Sequence, residues 1–138
     1  MSSSLFHLRV ATPQRILVDL DNVEVVTVPA QEGQISVLAF HTPLLTRLAP
    51  GVVSYKTERE ERVLGVNQGF MEVSDNKVNI LADYAILPEE ADERRAQEAR
   101  ERAQREMDKR LEGTDFQQVE AELRKALLEL KLIEHSEK

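Results

Sequence analysis

Histidine is the side chain that most often moves protons or binds metals near neutral pH, and this sequence contains three of them. His7, His41 and His135 lie far apart along the chain. None of them has the i,i+4 histidine or the cysteine pair that local metal sites use. The sequence also lacks a phosphate-binding glycine loop and a nucleophile motif. We therefore expect no catalytic residue and no metal site in this chain.

The composition narrows the classes of protein further. The 138 residues carry a formal net charge of -7, whereas proteins that follow a nucleic-acid backbone concentrate positive charge. Cysteine is absent, so neither disulfides nor thiolate metal sites can form. We expect a protein that binds no nucleic acid and needs no cofactor.

We expect neither a signal sequence nor a membrane-spanning helix in this sequence. The first residues lack the basic and apolar regions of a secretory signal, and they lack the Arg-rich pattern of a mitochondrial presequence. No apolar run approaches the roughly 18 residues that a membrane helix needs. We expect contact with a membrane only through a partner.

Residues 32–45 look like a surface that is presented to a partner. This segment contains a Gly, a Pro, a His and Gln34, and apolar residues flank it at 35–38 and 43–45. A loop that is anchored at both ends on a rigid scaffold is a common way to present a binding surface. The sequence therefore predicts a binding loop here rather than a strand.

The scaffold for this loop is predicted to be β-structure. Phe6, Leu8 and Val10 alternate with polar residues, which is typical of a half-buried strand. Further short apolar runs follow, at 16–18, 23–28, 52–57, 62–66, 69–73 and 77–81, and turn residues such as Asp21-Asn22 and Pro29 separate several of them. This spacing predicts an antiparallel β-sandwich, or flattened barrel, over residues 1–87.

Residues 88–138 are much richer in charge and have a helical pattern. Pro88 is predicted to lie in the first turn of one helix, whose i,i+4 charge pairs begin with Glu90 and Arg94. A break at Gly113 follows, and Thr114 with Gln117 could cap a second helix. The result is an antiparallel two-helix hairpin after the sandwich.

The apolar stripes of the two helices differ in strength. The first helix offers mostly alanines, whereas the second has larger residues at heptad spacing: Phe116, Val119, Leu123, Ala126, Leu130 and Ile133. A helix that buries mainly alanine methyls gains little from packing. We expect the hairpin to hold by a small margin and to be able to open or redock.

The basic residues of the first helix have two interpretations. They could form a solvated face of ion pairs, which is the more ordinary use of such charges. They could also bind an acidic partner surface or a nucleotide polyphosphate.

Ordered motifs along the chain resemble one known family. The sequence is similar to the epsilon subunit of the bacterial and chloroplast F-type ATP synthase along nearly its whole length. The matching residues are Val28-Pro29, Glu32-Gly33, His41-Thr42-Pro43-Leu44-Leu45, Leu48-Ala49-Pro50-Gly51, Gly69-Phe70-Met71-Glu72-Val73, Asn76-Lys77-Val78 and Leu81-Ala82-Asp83. Any one of these matches alone would be weak, but their shared order makes them specific.

The resemblance implies a non-catalytic rotor subunit of the central stalk. In such a subunit the sandwich binds the gamma subunit and sits on the ring of c subunits, and so couples the proton-driven ring to the catalytic head. The helical arm can extend into the alpha/beta hexamer and inhibit ATP hydrolysis there. The implied location is peripheral, on the cytoplasmic face of the bacterial plasma membrane, with the plastid thylakoid as the alternative.

The resemblance also implies site residues. The gamma and c-ring interface would include Glu32, Gln34, Phe40, His41, Thr42, Pro43 and Leu44. Gln34 stands where the family usually has an acidic residue, and Ala39-Phe40-His41 stands where it has Pro-Gly-His. Gln68-Gly69 likewise replaces a pair of glycines. We expect a contact in the same place with altered chemistry.

A regulatory ATP site is known in some members of the family. The matching residues are Asp92, Arg95 and Arg102, while the basic pair of the second helix falls on Lys125 and Glu129. Because Glu129 has the wrong sign for a phosphate, we expect any affinity for ATP to be weak.

Two other classes of protein are also compatible with the sequence. A free-standing sandwich could use its hairpin to bind an unrelated acidic partner. A small hydrolase could use His41 with nearby carboxylates.

Overall fold

The computed structural model of the protein describes residues 4–109 and 115–136. Seven strands are followed by a short turn of 3₁₀-helix and two α-helices. Their bounds are β1 (Phe6–Ala11), β2 (Ile16–Ala30), β3 (Gly33–Leu38), β4 (Leu44–Leu48), β5 (Gly51–Thr57), β6 (Glu61–Ser74), β7 (Lys77–Ile86), the 3₁₀ turn Pro88–Glu90, α1 (Glu93–Lys109) and α2 (Phe116–Ser136).

The strands close into the flattened barrel that the sequence predicts. β1 pairs with β2, β2 with β5, β5 with β6, β6 with β7, and β7 again with β1. β3 extends this closed sheet beside β2, and β4 extends it beside β6. The pairing of β1 with β7 is parallel, so the sheet is not wholly antiparallel. The predicted fold class, a β-sandwich followed by a helical hairpin, is confirmed.

The core of the sandwich consists of the inward-facing residues of these strands. Phe6, Leu8 and Val10 are all buried, as the alternation in β1 predicts. They pack in one continuous cluster with buried residues of all the other strands. The short β3 and β4 contribute one buried side chain each, Val37 and Leu48. Burial of this apolar surface is the main stabilising contribution to such a fold.

Two predicted strand boundaries are wrong. Asp21-Asn22 does not interrupt β2, because the strand runs on to Ala30 and accommodates an irregularity in its pairing with β5 between Val23 and Val25. Pro29 does not stop it either. Proline removes only its own N–H from the ladder, and the Pro29 carbonyl still accepts a hydrogen bond from Ala49 N at 2.7 Å.

The predicted binding loop at 32–45 is mostly strand. Gly33–Leu38 forms β3 and pairs with β2 from Ala30 back to Val25, and Leu44 already belongs to β4. Only residues 39–43 form a loop between these two strands. The Gly and Gln that suggested a loop lie in a strand, at its exposed beginning.

β6 bends between its two halves. Residues up to Val66 pair with β5, and residues from Gly69 pair with β4. Gln68 and Gly69 lie between them with φ angles of 60° and 141°. A side chain on Gly69 would place its Cβ only 2.1 Å from the Leu81 carbonyl oxygen, so glycine is required at this corner.

The first α-helix begins later than the sequence predicts. Pro88 lies in the 3₁₀ turn, Ala91 is extended, and α1 starts after Asp92, whose Oδ1 accepts a hydrogen bond from Arg95 N at 3.1 Å. Asp92 is therefore the N-cap. The second helix is capped by Asp115, whose carboxylate accepts from Gln117 N and Gln118 N. Gly113 and Thr114 lie outside the described residues.

The hairpin is folded against the sandwich, and α2 makes the contact. Leu128 and Leu132 of α2 pack on Ile86, with Val52, Val63 and Tyr84 around them. Another face of α2 packs on α1, where Ala96 and Ala103 are buried. Of the predicted heptad stripe, Val119 and Ala126 are buried and line the cleft between the helices, whereas Phe116 is 44% exposed. Leu128 and Leu132, which contact the sandwich, lie outside the stripe.

A substitution at Leu132 tests whether α2 docks on the sandwich through this side chain. Its side chain is fully buried, so Leu132→Ala should remove about 3 kcal/mol from the contact between α2 and the sandwich. We expect faster hydrogen exchange along both helices, with little change in the strands. Leu127→Ala is the matched control, because Leu127 is 46% exposed on the same helix. Equal exchange in the two variants would contradict docking through Leu132.

Candidate functional site

The structure divides the predicted interface residues between two ends of the sandwich. Glu32 and Gln34 lie at the start of β3, whereas Phe40 to Leu44 follow its end. Six strand residues at about 3.4 Å each place these two groups about 20 Å apart. A segment that is continuous in sequence thus supplies two separate surfaces.

The loop at residues 39–43 has a defined conformation. Phe40 adopts a left-handed φ of 60°, and its backbone N donates to Asn76 Oδ1 at 2.8 Å. Asn76 Nδ2 in turn donates to the Leu5 carbonyl at 2.9 Å. His41 Nδ1 donates to the Thr42 carbonyl at 2.7 Å, so this nitrogen holds the ring rather than a metal. The tip of the loop is therefore fastened to the β6–β7 turn and to the N-terminal segment.

An apolar patch adjoins this loop on the outer face of the sheet. Arg47, Phe70 and Leu81 stand opposite one another on β4, β6 and β7. Phe70, Leu81 and the nearby Leu45 are large, apolar and exposed, and the Arg47 guanidinium lies 5.7 Å from the centre of the Phe70 ring. Exposed apolar groups that lie together mark interaction surfaces. Leu45, Arg47, Phe70 and Leu81 are called the outer patch below.

Sequence reasoning missed the outer patch, although a signal for it was present. Phe70 and Leu81 are apolar residues on the exposed side of the alternating second half of β6 and of β7. Each looked like an ordinary strand residue by itself. Only the strand register places them side by side.

The helical arm is fastened at its base by a buried carboxylate. Glu129 of α2 is only 7% exposed, and its Oε2 accepts from Arg95 Nη2 at 2.9 Å and from Asp92 N at 2.8 Å. The same Arg95 nitrogen donates to the Glu90 carbonyl at 3.3 Å. The hydrogen bond to Glu129 favours the charged form of Arg95 and raises the pKa of Arg95. Arg95 and Glu129 are called the latch below.

A cleft of about 950 Å³ lies between the two helices. Its charged lining has three cations, Arg95, Arg102 and Lys125, and four carboxylates, Glu106, Asp115, Glu122 and Glu129. Lys125 also stacks over the Tyr84 ring at 4.8 Å. Arg95 and Arg102 thus share one cleft, as the resemblance implies, but Asp92 caps α1 outside its lining. The surplus of carboxylates, and the use of Arg95 by Glu129, do not fit a triphosphate well.

The linker between the sandwich and the arm is held by an ion pair that spans most of the sequence. Arg15, in the β1–β2 turn, donates to both carboxylate oxygens of Glu90, at 2.5 and 2.7 Å. Arg15 also donates to the Ala85 carbonyl, and Glu90 accepts from Leu87 N. Glu90 therefore pairs with Arg15 rather than with Arg94, which contacts Glu98 instead. These bonds lower the pKa of Glu90 to about 2.

The Arg15–Glu90 pair makes the stability of the protein depend on pH. Because folding lowers the pKa of Glu90 from 4.5 to about 2, its stabilisation is complete above pH 4.5 and is lost as the pH falls through 2. In Arg15→Met we expect the pKa of Glu90 to return toward 4.5, measured by NMR titration of the side-chain carboxyl. Arg62→Met is the control, since Arg62 pairs with Glu60. An unchanged titration in Arg15→Met would refute this account of the shift.

No group of side chains suited to a metal ion occurs within residues 4–109 and 115–136. Over the same residues, no helix is long and apolar enough to cross a membrane. A closed sandwich with an exposed apolar face and a folded helical arm defines a class of partner-binding proteins, and comparison with known proteins makes the class specific.

Residues 5–88 match the family model described as ATP synthase, Delta/Epsilon chain, beta-sandwich domain. The ATP synthase epsilon chain of Alkalilimnicola ehrlichii is 43% identical over 107 residues, which cover 77% of this chain and 76% of that one. The epsilon chain of Moorella thermoacetica is 40% identical over 126 residues, covering 91% and 93%. The chain therefore belongs to the family of ATP synthase epsilon chains.

Solved structures show the same fold at greater sequence distance. A chain of the Euglena gracilis mitochondrial ATP synthase, in a structure of its OSCP, F1 and c-ring, aligns with a TM-score of 0.69 at 23% identity. The alignment covers 97% of this chain and 80% of that one. A chain from the central stalk and c-ring of the Tetrahymena thermophila mitochondrial enzyme aligns over both full lengths with a TM-score of 0.57 at 15% identity.

Proposed function

We propose that this chain is a non-catalytic rotor subunit of the central stalk of a proton-translocating F-type ATP synthase. The observation that carries the proposal is the pair of separated surfaces on one closed sandwich, in a chain of the epsilon family. A coupling subunit must hold two partners at once, and a rigid body with two binding ends meets that need. Such a subunit would be peripheral, on the cytoplasmic face of the bacterial plasma membrane.

The two surfaces suit different partners. The outer patch and the adjoining loop at Phe40 are apolar and extended, as is typical of the buried centre of a lasting protein interface. We assign them to the gamma subunit. The other end carries the exposed polar residues Glu32 and Gln34, and we assign it to the c-ring.

We further propose that the arm inhibits ATP hydrolysis when it leaves the sandwich and enters the alpha/beta hexamer. The arm contacts the sandwich mainly through Leu128, Leu132 and a few polar bonds, and α1 buries mostly alanine against α2. Its docking is therefore weak enough for a partner with higher affinity for the released arm to shift the equilibrium.

Removal of residues 88–138 tests the inhibitory role. The sandwich core does not include the residues that dock the arm, so residues 1–87 should fold and assemble without it. We expect faster ATP hydrolysis by the assembled complex and unchanged assembly. Leu132→Ala in the full-length chain should change hydrolysis in the opposite direction, because it releases the arm without removing it. Unchanged hydrolysis after truncation would refute inhibition by the arm.

Binding of ATP to the cleft depends on Glu129 in this proposal. With its carboxylate among the lining residues, we expect the wild-type chain to bind ATP with a Kd weaker than about 1 mM, measured by calorimetry. Glu129→Arg should bind ATP at least about tenfold more tightly, because a guanidinium replaces the carboxylate. Glu98→Arg, outside the cleft lining, is the control. Tight binding by the wild type would contradict the role assigned to Glu129.

A further inference from the structure

Phe40 is a large apolar side chain that belongs to neither buried cluster of the structure. It is 73% exposed, the highest value among the large exposed apolar residues of the described chain. Its φ of 60° lies in the left-handed region, which is rare for bulky residues and normally taken by glycine. An aromatic side chain here therefore costs the isolated protein stability through its backbone conformation, and its exposure means that almost no burial offsets this cost.

The surrounding structure maintains this conformation. The Phe40 N–H is bound by Asn76, which is itself bound to the Leu5 carbonyl, so two other segments of the chain hold the loop in place. Residues in sparsely populated backbone regions persist when the surroundings determine them, and they are concentrated at functional sites. The ring has no role in this support, because the bonds are made by the backbone of Phe40.

We propose that Phe40 is an aromatic anchor that inserts into an apolar pocket of the gamma subunit. This inference rests on the proposed function and extends it to one residue. Phe40 lies four residues before Leu44, where β4 begins, and β4 carries Leu45 and Arg47 of the outer patch. The bond from Phe40 N to Asn76 places the loop at the β6–β7 turn, beside the part of β4, β6 and β7 that carries the outer patch. The anchor and the outer patch are therefore close enough to serve one partner. Aromatic residues placed in this way supply a large share of the binding energy of an interface.

The chain provides a matched control for the backbone conformation. Gln68 has the same φ of 60° and is also exposed, but its side chain is polar. Glycine at either position relieves the left-handed conformation of a residue with a Cβ. Only glycine at position 40 also removes an aromatic ring.

The test combines thermal denaturation with binding to an alpha/beta/gamma complex from which the epsilon subunit has been removed and which contains no c-ring. Phe40→Gly should raise the Tm by about 3 °C and weaken binding about 30-fold. Gln68→Gly should raise the Tm similarly and leave binding unchanged. Phe40→Ala should weaken binding like Phe40→Gly without the rise in Tm, because alanine keeps the left-handed strain.

Two results would overturn the inference, and they can be told apart. Wild-type affinity in both Phe40 variants would refute the anchor while leaving the proposed function intact. The same conclusion would follow if the variants bound this complex normally but assembled poorly with the c-ring. Failure of the wild-type chain to bind the complex would refute the proposed function, and the anchor with it.

Discussion

The placement of the helical arm depends on one apolar contact, in which Leu128 and Leu132 of α2 lie on Ile86 at the end of the last strand. α2 is the middle layer, between the sandwich on one side and α1 on the other. α1 is positioned largely by α2, through alanines that contribute little burial. The latch joins the two helices to each other, whereas this apolar contact joins them to the sandwich. A loss at this contact would therefore release the whole arm rather than a part of it.

The polar bonds around the linker do a different job from this apolar contact. Apolar burial is not directional, so it does not by itself fix the rotation of α2 on the sheet. The Arg15–Glu90 and Arg95–Glu129 pairs have defined geometry, and the latch holds the first turn of α1 to the middle of α2. Arg15 and Glu90 are both partly exposed, and ion pairs of that kind add little stability. In the latch only Arg95 is exposed, because Glu129 is buried. The main effect of the two pairs is to select one docked arrangement that can still open.

The sequence predicts what depends on local patterns. Alternation in β1 identifies its buried face. Heptad spacing identifies Val119 and Ala126 on the face of α2 that meets α1, but it also includes the exposed Phe116. The heptad pattern does not predict the second buried face of α2, because Leu128 and Leu132 are buried by the sheet rather than by α1. The parallel pairing of β1 with β7 and the Arg15–Glu90 pair join residues about 70 positions apart, and no local rule could indicate them. Pro29 and Asp21-Asn22 suggest strand ends that do not exist. They are strand-breaking residues locally, but pairing with neighbouring strands keeps β2 extended through them.

The candidate site shows the same limit. Glu32 and Phe40 are eight positions apart and share one family motif, yet an extended strand separates them by its full length. A helix or a loop over those residues would have brought them together, so the strand itself creates two surfaces. Because β3 is paired along β2, and β2 belongs to the closed part of the sheet, the distance between the two ends is fixed. A body that passes torque from one partner to another needs this property, since a flexible spacer would absorb the rotation.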